Sequence, residues 1–152
     1  MPNTPARVRQ AVTAVAVGAS AQSTDADLAE ELFRGVGQVV LRIDEGMMDG
    51  FTALAGSGPA YVFFLAQAMV EAGVSMGLDH ETAIKVVCQT VAGSGALLAA
   101  SNQVPGELLA AVMSKGGTTE AAVAVLGRAD VHGSIIRAIV AARDRGAALA
   151  GV

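Results

Sequence analysis

The chain has 152 residues, 53% of them hydrophobic and 16% charged, with a formal net charge of −4 at pH 7. That length suits one ordinary domain with a real core, and the apolar balance predicts that some surface is buried between subunits. The acidic balance, the scattered basic residues and the few aromatics argue against a nucleic-acid partner, because there is neither a basic patch nor a stacking platform.

In chain order, residues 1–43 spell strand, helix, strand. Val12–Val17 is a β-like run closed by Gly18. Ser23–Val36 reads as a helix with Ser23 or Thr24 as its cap, Asp25 and Asp27 in its first turn, and Leu28, Leu32 and Phe33 on its apolar face. Gln38–Ile43 is the second β-like run. This is one βαβ-sized unit, too small to make a sheet of its own.

From residue 44 onward the pattern is helical. Glu45–Ala55 is a helix weakened by Gly46 and Gly50. Pro59–Met76 is apolar nearly all round, with Pro59 at the favoured first position. Its most apolar part, Pro59–Gly73, reads as too short and too flanked by glycine to span a bilayer. Asp79 caps the next helix, which runs to about Ala100 through a loose Gly93-Ser94-Gly95 segment. Pro105 opens a short helix ending near Met113, Glu120–Ala129 forms another, and Gly133 or Ser134 starts the last, which ends near Ala150. The expected fold is therefore mainly α: a truncated α/β segment (1–43) followed by an all-helical domain (44–152). An intertwined dimer would bury the apolar helices.

Val112-Met113-Ser114-Lys115-Gly116-Gly117-Thr118-Thr119 is the most informative stretch. Two glycines and two hydroxyl residues directly before a helix present free N–H groups and the positive end of the helix dipole, which suits a small anion, carboxylate or phosphate. Thr118 or Thr119 would cap the helix and leave the other hydroxyl for a ligand. A helix cap with no ligand has the same composition. Cys88, among Ile84, Val87 and Val91, reads as a buried structural thiol, and a chain with one cysteine fits a reducing compartment. His80 and His132 fall at helix starts without a second ligand at metal-binding spacing, so no metal is expected. The N-terminus lacks the charged start and apolar run of a signal peptide, and the expected location is cytoplasmic, without a membrane partner.

Three motifs stand in order: Met1-Pro2-Asn3-Thr4-Pro5-Ala6, Ala53-Leu54-Ala55-Gly56-Ser57-Gly58-Pro59-Ala60-Tyr61, and Pro105 to Leu126 around Ser114–Thr119. Together they resemble the pyrroline-5-carboxylate reductases. That resemblance implies an N-terminal Rossmann domain binding NADH or NADPH, a helical dimerisation domain, a homodimer or higher homo-oligomer, and reduction of a carboxylate-bearing cyclic imine to proline. It places the substrate carboxylate on N–H groups of Gly117, Thr118 and Thr119, with Gly116, Ser114 and Ser57 in the same cleft. Thr119 would act at the ring nitrogen, and Asn3, Thr4 and Gly58 would lie toward the nicotinamide. The family's G-x-G-x-x-G turn after a strand is missing from these residues. The chain therefore resembles the C-terminal part of the enzyme. Inactivity alone is expected, with no tight cofactor binding; a non-catalytic dimerisation module or pseudoenzyme partner of a full-length reductase is the alternative. Lys115 stands where a proline is usual, Met113 replaces a small or hydroxyl residue, Ala55 a serine and Gly50 an alanine. Lys115 either adds charge beside the carboxylate or is solvated, and loss of the proline loosens the turn.

Overall fold

The computed structural model describes residues 1–151. It is mainly helical, as the sequence leads one to expect, but residues 1–43 form a two-stranded sheet of their own, contrary to the expectation that this unit is too small to make one. A 3₁₀ turn (Thr4–Val8) leads into β1 (Val12–Val15), α1 (Ser23–Arg34) and β2 (Val39–Arg42). Both strands are shorter than the β-like runs. They pair in parallel, from Val12 opposite Val39 to Val15 opposite Arg42. β1 is covered on its other edge by the first residues, since Met1 and Ala14 exchange N–H···O bonds of 2.7 and 3.0 Å. β1 is accordingly buried, while β2 is largely exposed.

The cap of α1 is Gln22, one residue before the expected serine. The Asp25 carboxylate reaches back to accept from the Gln22 N–H at 2.9 Å, so the acidic residue three places into the helix satisfies the end that Ser23 or Thr24 was expected to cover. Arg42 on β2 ties the sheet to the same helix, donating to Asp27 at 2.6 Å and Glu30 at 2.7 Å.

After β2 the chain forms a 3₁₀ turn (Glu45–Met47), a short α2 (Met48–Phe51) and a π-helical turn (Thr52–Gly56) that runs into α3 (Gly58–Ser75). The single helix expected over 45–55 is thus three kinds of turn, and the apolar helix that follows is part of a longer run. That run, Glu45–Ser75, has 31 residues, and α4 (His80–Ala100) has 21; both are long and apolar enough to cross a bilayer by length and composition. Pro59–Gly73 by itself is too short, but the π-helical turn carries the helix past the glycines before it.

Asp79 caps α4 as expected, accepting from the Thr82 N–H at 3.0 Å. Gly77, at φ +100°, ends the turn after α3 in the left-handed region that glycine adopts without steric cost. Gly73 is buried against Ala83 and Leu78, so α3 and α4 approach closely at that end. Val104 precedes Pro105, which opens α5 (Pro105–Ala111), and Glu107 accepts from the Val104 N–H. α6 (Thr118–Arg128) and α7 (Val131–Ala150) complete the chain. α7 begins two or three residues earlier than expected, because Asp130 adopts the left-handed conformation between the two helices.

Two compact units emerge: Met1–Tyr61 with Ile136–Val152, and Val62–Ile135. The change from strands to helices near residue 43 thus falls inside the first unit. The buried apolar residues are mostly alanines (Ala11, Ala14, Ala26, Ala53 and Ala83, with Val15 and Val87), while Phe63, Phe64, Leu65, Leu97 and Ile136 are each at least half exposed. Cys88 is also exposed in the single chain, contrary to its expected burial, although its neighbour Val87 on α4 is buried.

The Asp79 carboxyl is held below its ordinary range, chiefly by its hydrogen bonding with Thr82. A carboxylate of depressed pKa stabilises the fold above its unfolded-state pKa and loses that contribution as pH falls through its folded pKa. Asp79→Ala is therefore expected to melt at a lower temperature than the parent near pH 7. The difference closes as pH is lowered below about 4, the ordinary range of aspartate, which thermal unfolding across a pH series would measure.

Candidate functional site

The Gly-rich turn lies between α5 and α6, in the unit Val62–Ile135. Gly117 donates its N–H to the Ser114 carbonyl at 2.9 Å, closing a tight turn. Gly116 sits at φ +73°, where a side chain is strained. Gly117 is the N-cap of α6, in extended conformation, and a Cβ there would collide with the Ser114 hydroxyl. Gly116 is needed for its backbone angles; at Gly117 a side chain would displace the exposed Ser114 hydroxyl and crowd its carbonyl.

This corrects the expected capping. Neither threonine caps α6; Thr118 and Thr119 are its first two residues. The helix end is served instead by Glu120, whose carboxylate accepts from the Gly116 N–H at 2.7 Å. Two N–H groups of the turn are thus occupied, Gly117 by Ser114 and Gly116 by Glu120. The N–H groups of Thr118 and Thr119 open the helix and have no intrahelical acceptor. Their side chains are released from capping; Thr119 is half-buried, while Thr118, Ser114 and Lys115 are exposed. An arriving carboxylate would meet those two N–H groups and that of Glu120, two hydroxyls and the helix dipole, with the Glu120 side chain as a like-charged neighbour.

Asn3, Thr4, Ser57 and Gly58 belong to the other unit. There the structure brings Asn3 to the segment just before Ser57: Asn3 Nδ2 donates to the Ala55 carbonyl at 3.0 Å, and Asn3 Oδ1 accepts from the Val12 N–H at 3.2 Å. Ser57 closes the π-helical turn, donating its N–H to the Thr52 carbonyl at 2.9 Å, and Gly58 is the first residue of α3. An open apolar groove in the same unit, lined by Ile43, Met47, Phe51, Leu54 and Arg143, contains none of the expected site residues. Among the described residues no group of His, Cys, Asp and Glu is arranged to hold a metal ion.

The turn between β1 and α1 is a poor fit for a dinucleotide. The Asp25 carboxylate already covers the N-terminal end of α1, and Asp27 and Glu30 follow in its next turns. Such an end repels a pyrophosphate rather than cradling it.

Sequence reasoning assigned no role to Glu120 or Tyr61. Glu120 was legible in principle, since an acid three residues after an N-cap is a capping-box signature. Tyr61 hydrogen-bonds the Ala53 carbonyl at 3.0 Å, a contact that depends on the π-helical turn and has no local signal. Gly116→Ala is expected to destabilise the chain by about 1–2 kcal/mol, because its φ of +73° is strained for a residue with a side chain. Gly127→Ala, inside α6 and with open space around it, is expected to be neutral or mildly stabilising. Denaturant unfolding of the two variants would measure the contrast.

Comparison with known proteins gives a consistent result. The family described as pyrroline-5-carboxylate reductase dimerisation matches residues 45–149. A pyrroline-5-carboxylate reductase of Pisum sativum is 39% identical over 145 residues, covering 95% of this chain and 53% of that protein. The Pseudomonas aeruginosa reductase is 39% identical over 150 residues, covering 99% of this chain and 55% of that protein. Among solved structures, the reductase of Coxiella burnetii superposes with a TM-score of 0.90 at 37% identity, over 98% of this chain and 55% of that one. That of Plasmodium falciparum, solved with NADP bound, gives 0.87 at 31% identity, over 97% of this chain and 60% of that one. The chain thus spans about half the length of the curated relatives it matches. With its helical residues matched by the dimerisation family and its fold shared with these reductases, the chain belongs to the pyrroline-5-carboxylate reductase family and corresponds to its C-terminal, dimerisation part.

Proposed function

We propose that this chain is the substrate-binding and dimerisation part of a pyrroline-5-carboxylate reductase, acting in proline formation from the cyclic imine. The observation that carries the reading is the start of α6, where Gly117 takes the cap position and leaves the N–H groups and hydroxyls of Thr118 and Thr119 for a ligand. The substrate carboxylate sits on those two N–H groups, with Ser114 and the Gly116–Gly117 backbone shaping the turn around it.

In the complete enzyme a nicotinamide cofactor, NADH or NADPH, supplies the hydride, which adds to the carbon of the C=N bond. The nitrogen takes up a proton. Thr119 is assigned to orient that nitrogen and to pass a proton through water, since a threonine hydroxyl is too weak an acid to act alone. What the chain contributes is position: a carboxylate fixed at the helix end holds the imine in one orientation. Ser57 is assigned to the substrate cleft, and Asn3, Thr4 and Gly58 to its cofactor side. A second copy of the chain covers the apolar faces of α3 and α4, in a homodimer or larger ring, and the protein works in the cytoplasm without a membrane or nucleic-acid partner.

The 152 residues alone are expected to show no NAD(P)H-dependent reduction of pyrroline-5-carboxylate above a Thr119→Ala control. They are nonetheless expected to bind a cyclic amino acid carboxylate such as proline at millimolar concentration, seen as shifts of the Thr118 and Thr119 amide resonances. Turnover that the control abolishes would contradict the inactivity. Absence of carboxylate binding at α6 would favour a dimerisation module without a substrate site.

A further inference from the structure

The π-helical turn Thr52–Gly56 leaves carbonyls at its end without their helical donors, those of Ala53 and Ala55 among them. In an α-helix the Ala53 carbonyl accepts from the N–H of residue 57, but Ser57 donates to Thr52 instead. The Ala55 carbonyl would accept from residue 59, which is proline and has no N–H. Each of these two carbonyls receives a side-chain donor. Tyr61 Oη donates to Ala53 at 3.0 Å, and Asn3 Nδ2 donates to Ala55 at 3.0 Å, across 52 residues of chain. The other end of the Asn3 amide accepts from the Val12 N–H, where β1 begins. Asn3 is thus spent at both ends, and Ala53 is buried.

We propose that Asn3 and Tyr61 are positioning residues that clamp the π-helical turn and so fix where Ser57 and Gly58 stand relative to β1. The bearing of this clamp on catalysis rests on the reductase reading, in which Ser57 and Gly58 line the cleft. Asn3 then serves the cofactor side through the Ala55 carbonyl and not by touching the cofactor. Both side-chain donors fall on acceptors that the turn itself orphans, and that ties the role to the turn rather than to general packing. A π-helical turn is costly unless its freed groups find partners, and such turns occur mostly where a function needs a displaced backbone.

The test is amide hydrogen exchange by NMR on the 152-residue protein with Asn3→Asp and Tyr61→Phe. Asn3→Asp keeps an acceptor for Val12 but removes the donor to Ala55; Tyr61→Phe removes only the donor to Ala53. Both are expected to raise exchange of the Ser57 N–H at least ten-fold while Val12 and the β1–β2 amides keep their protection. Unchanged Ser57 exchange in Tyr61→Phe, or in an Asn3→Asp protein whose sheet amides remain protected, would overturn the clamp. If Asn3→Asp loses sheet protection as well, Tyr61→Phe decides by the same criterion. The readout needs no cofactor or substrate, so failure to find reductase activity would count against the functional reading and not against this one.

Discussion

The constraint on which the rest depends is apolar surface that a single copy leaves uncovered. The chain is 53% hydrophobic, yet its buried apolar residues are small: five alanines and two valines among the described residues. The large side chains of α3, including Phe63, Phe64 and Leu65, are more than half exposed, and so is Leu97 on α4. Exposed patches of this kind are unusual on a monomer and mark a surface meant to be covered. Pairing of these helices with a second copy accounts for their composition. A lone amphipathic helix keeps a polar face for water, whereas α3 has apolar residues on nearly every side, interrupted by Gln67 and Glu71. Coverage of α3 from more than one direction follows.

The candidate site depends on that framework in a simple way. α6 is short and begins at a glycine cap, so its first turn is built from backbone rather than from a capping side chain. Because Glu120 and Ser114 satisfy the turn's own N–H groups, the backbone N–H groups of Thr118, Thr119 and Glu120 are what the helix offers to a ligand. The same arrangement places a negative charge four residues from Gly116. Glu120 holds the turn in shape and at the same time repels anions, so a carboxylate bound there as proposed would be held by geometry more than by net charge.

Local signals in the sequence made much of this legible. Asp79 before a helical run, Pro105 at a first turn and the β-like runs around Val12 and Val39 each carry their reason within a few residues. Features set by distant partners were not legible. The π-helical turn is accommodated by Asn3 and Tyr61, and nothing between Thr52 and Gly56 announces it. Gly117 displaces the threonines as cap because Ser114 folds back onto it, a contact across the turn. The burial expected of Cys88 failed for a related reason: it stands beside buried Val87 on α4, but the chain alone does not cover it. The three family motifs survived all of these local corrections, because they specify residue types at a turn and not the exact atom that caps it.

The most direct measurement is the mass of the purified protein in solution, by sedimentation or light scattering over a range of concentrations. A single chain weighs 15.2 kDa. The account predicts a stable species of twice that mass or a higher multiple, and dissociation together with loss of the fold when Phe64, on the exposed face of α3, is changed to glutamate. A well-folded, cooperatively melting monomer at micromolar concentration would contradict it, since the apolar helices would then stand in water without a partner.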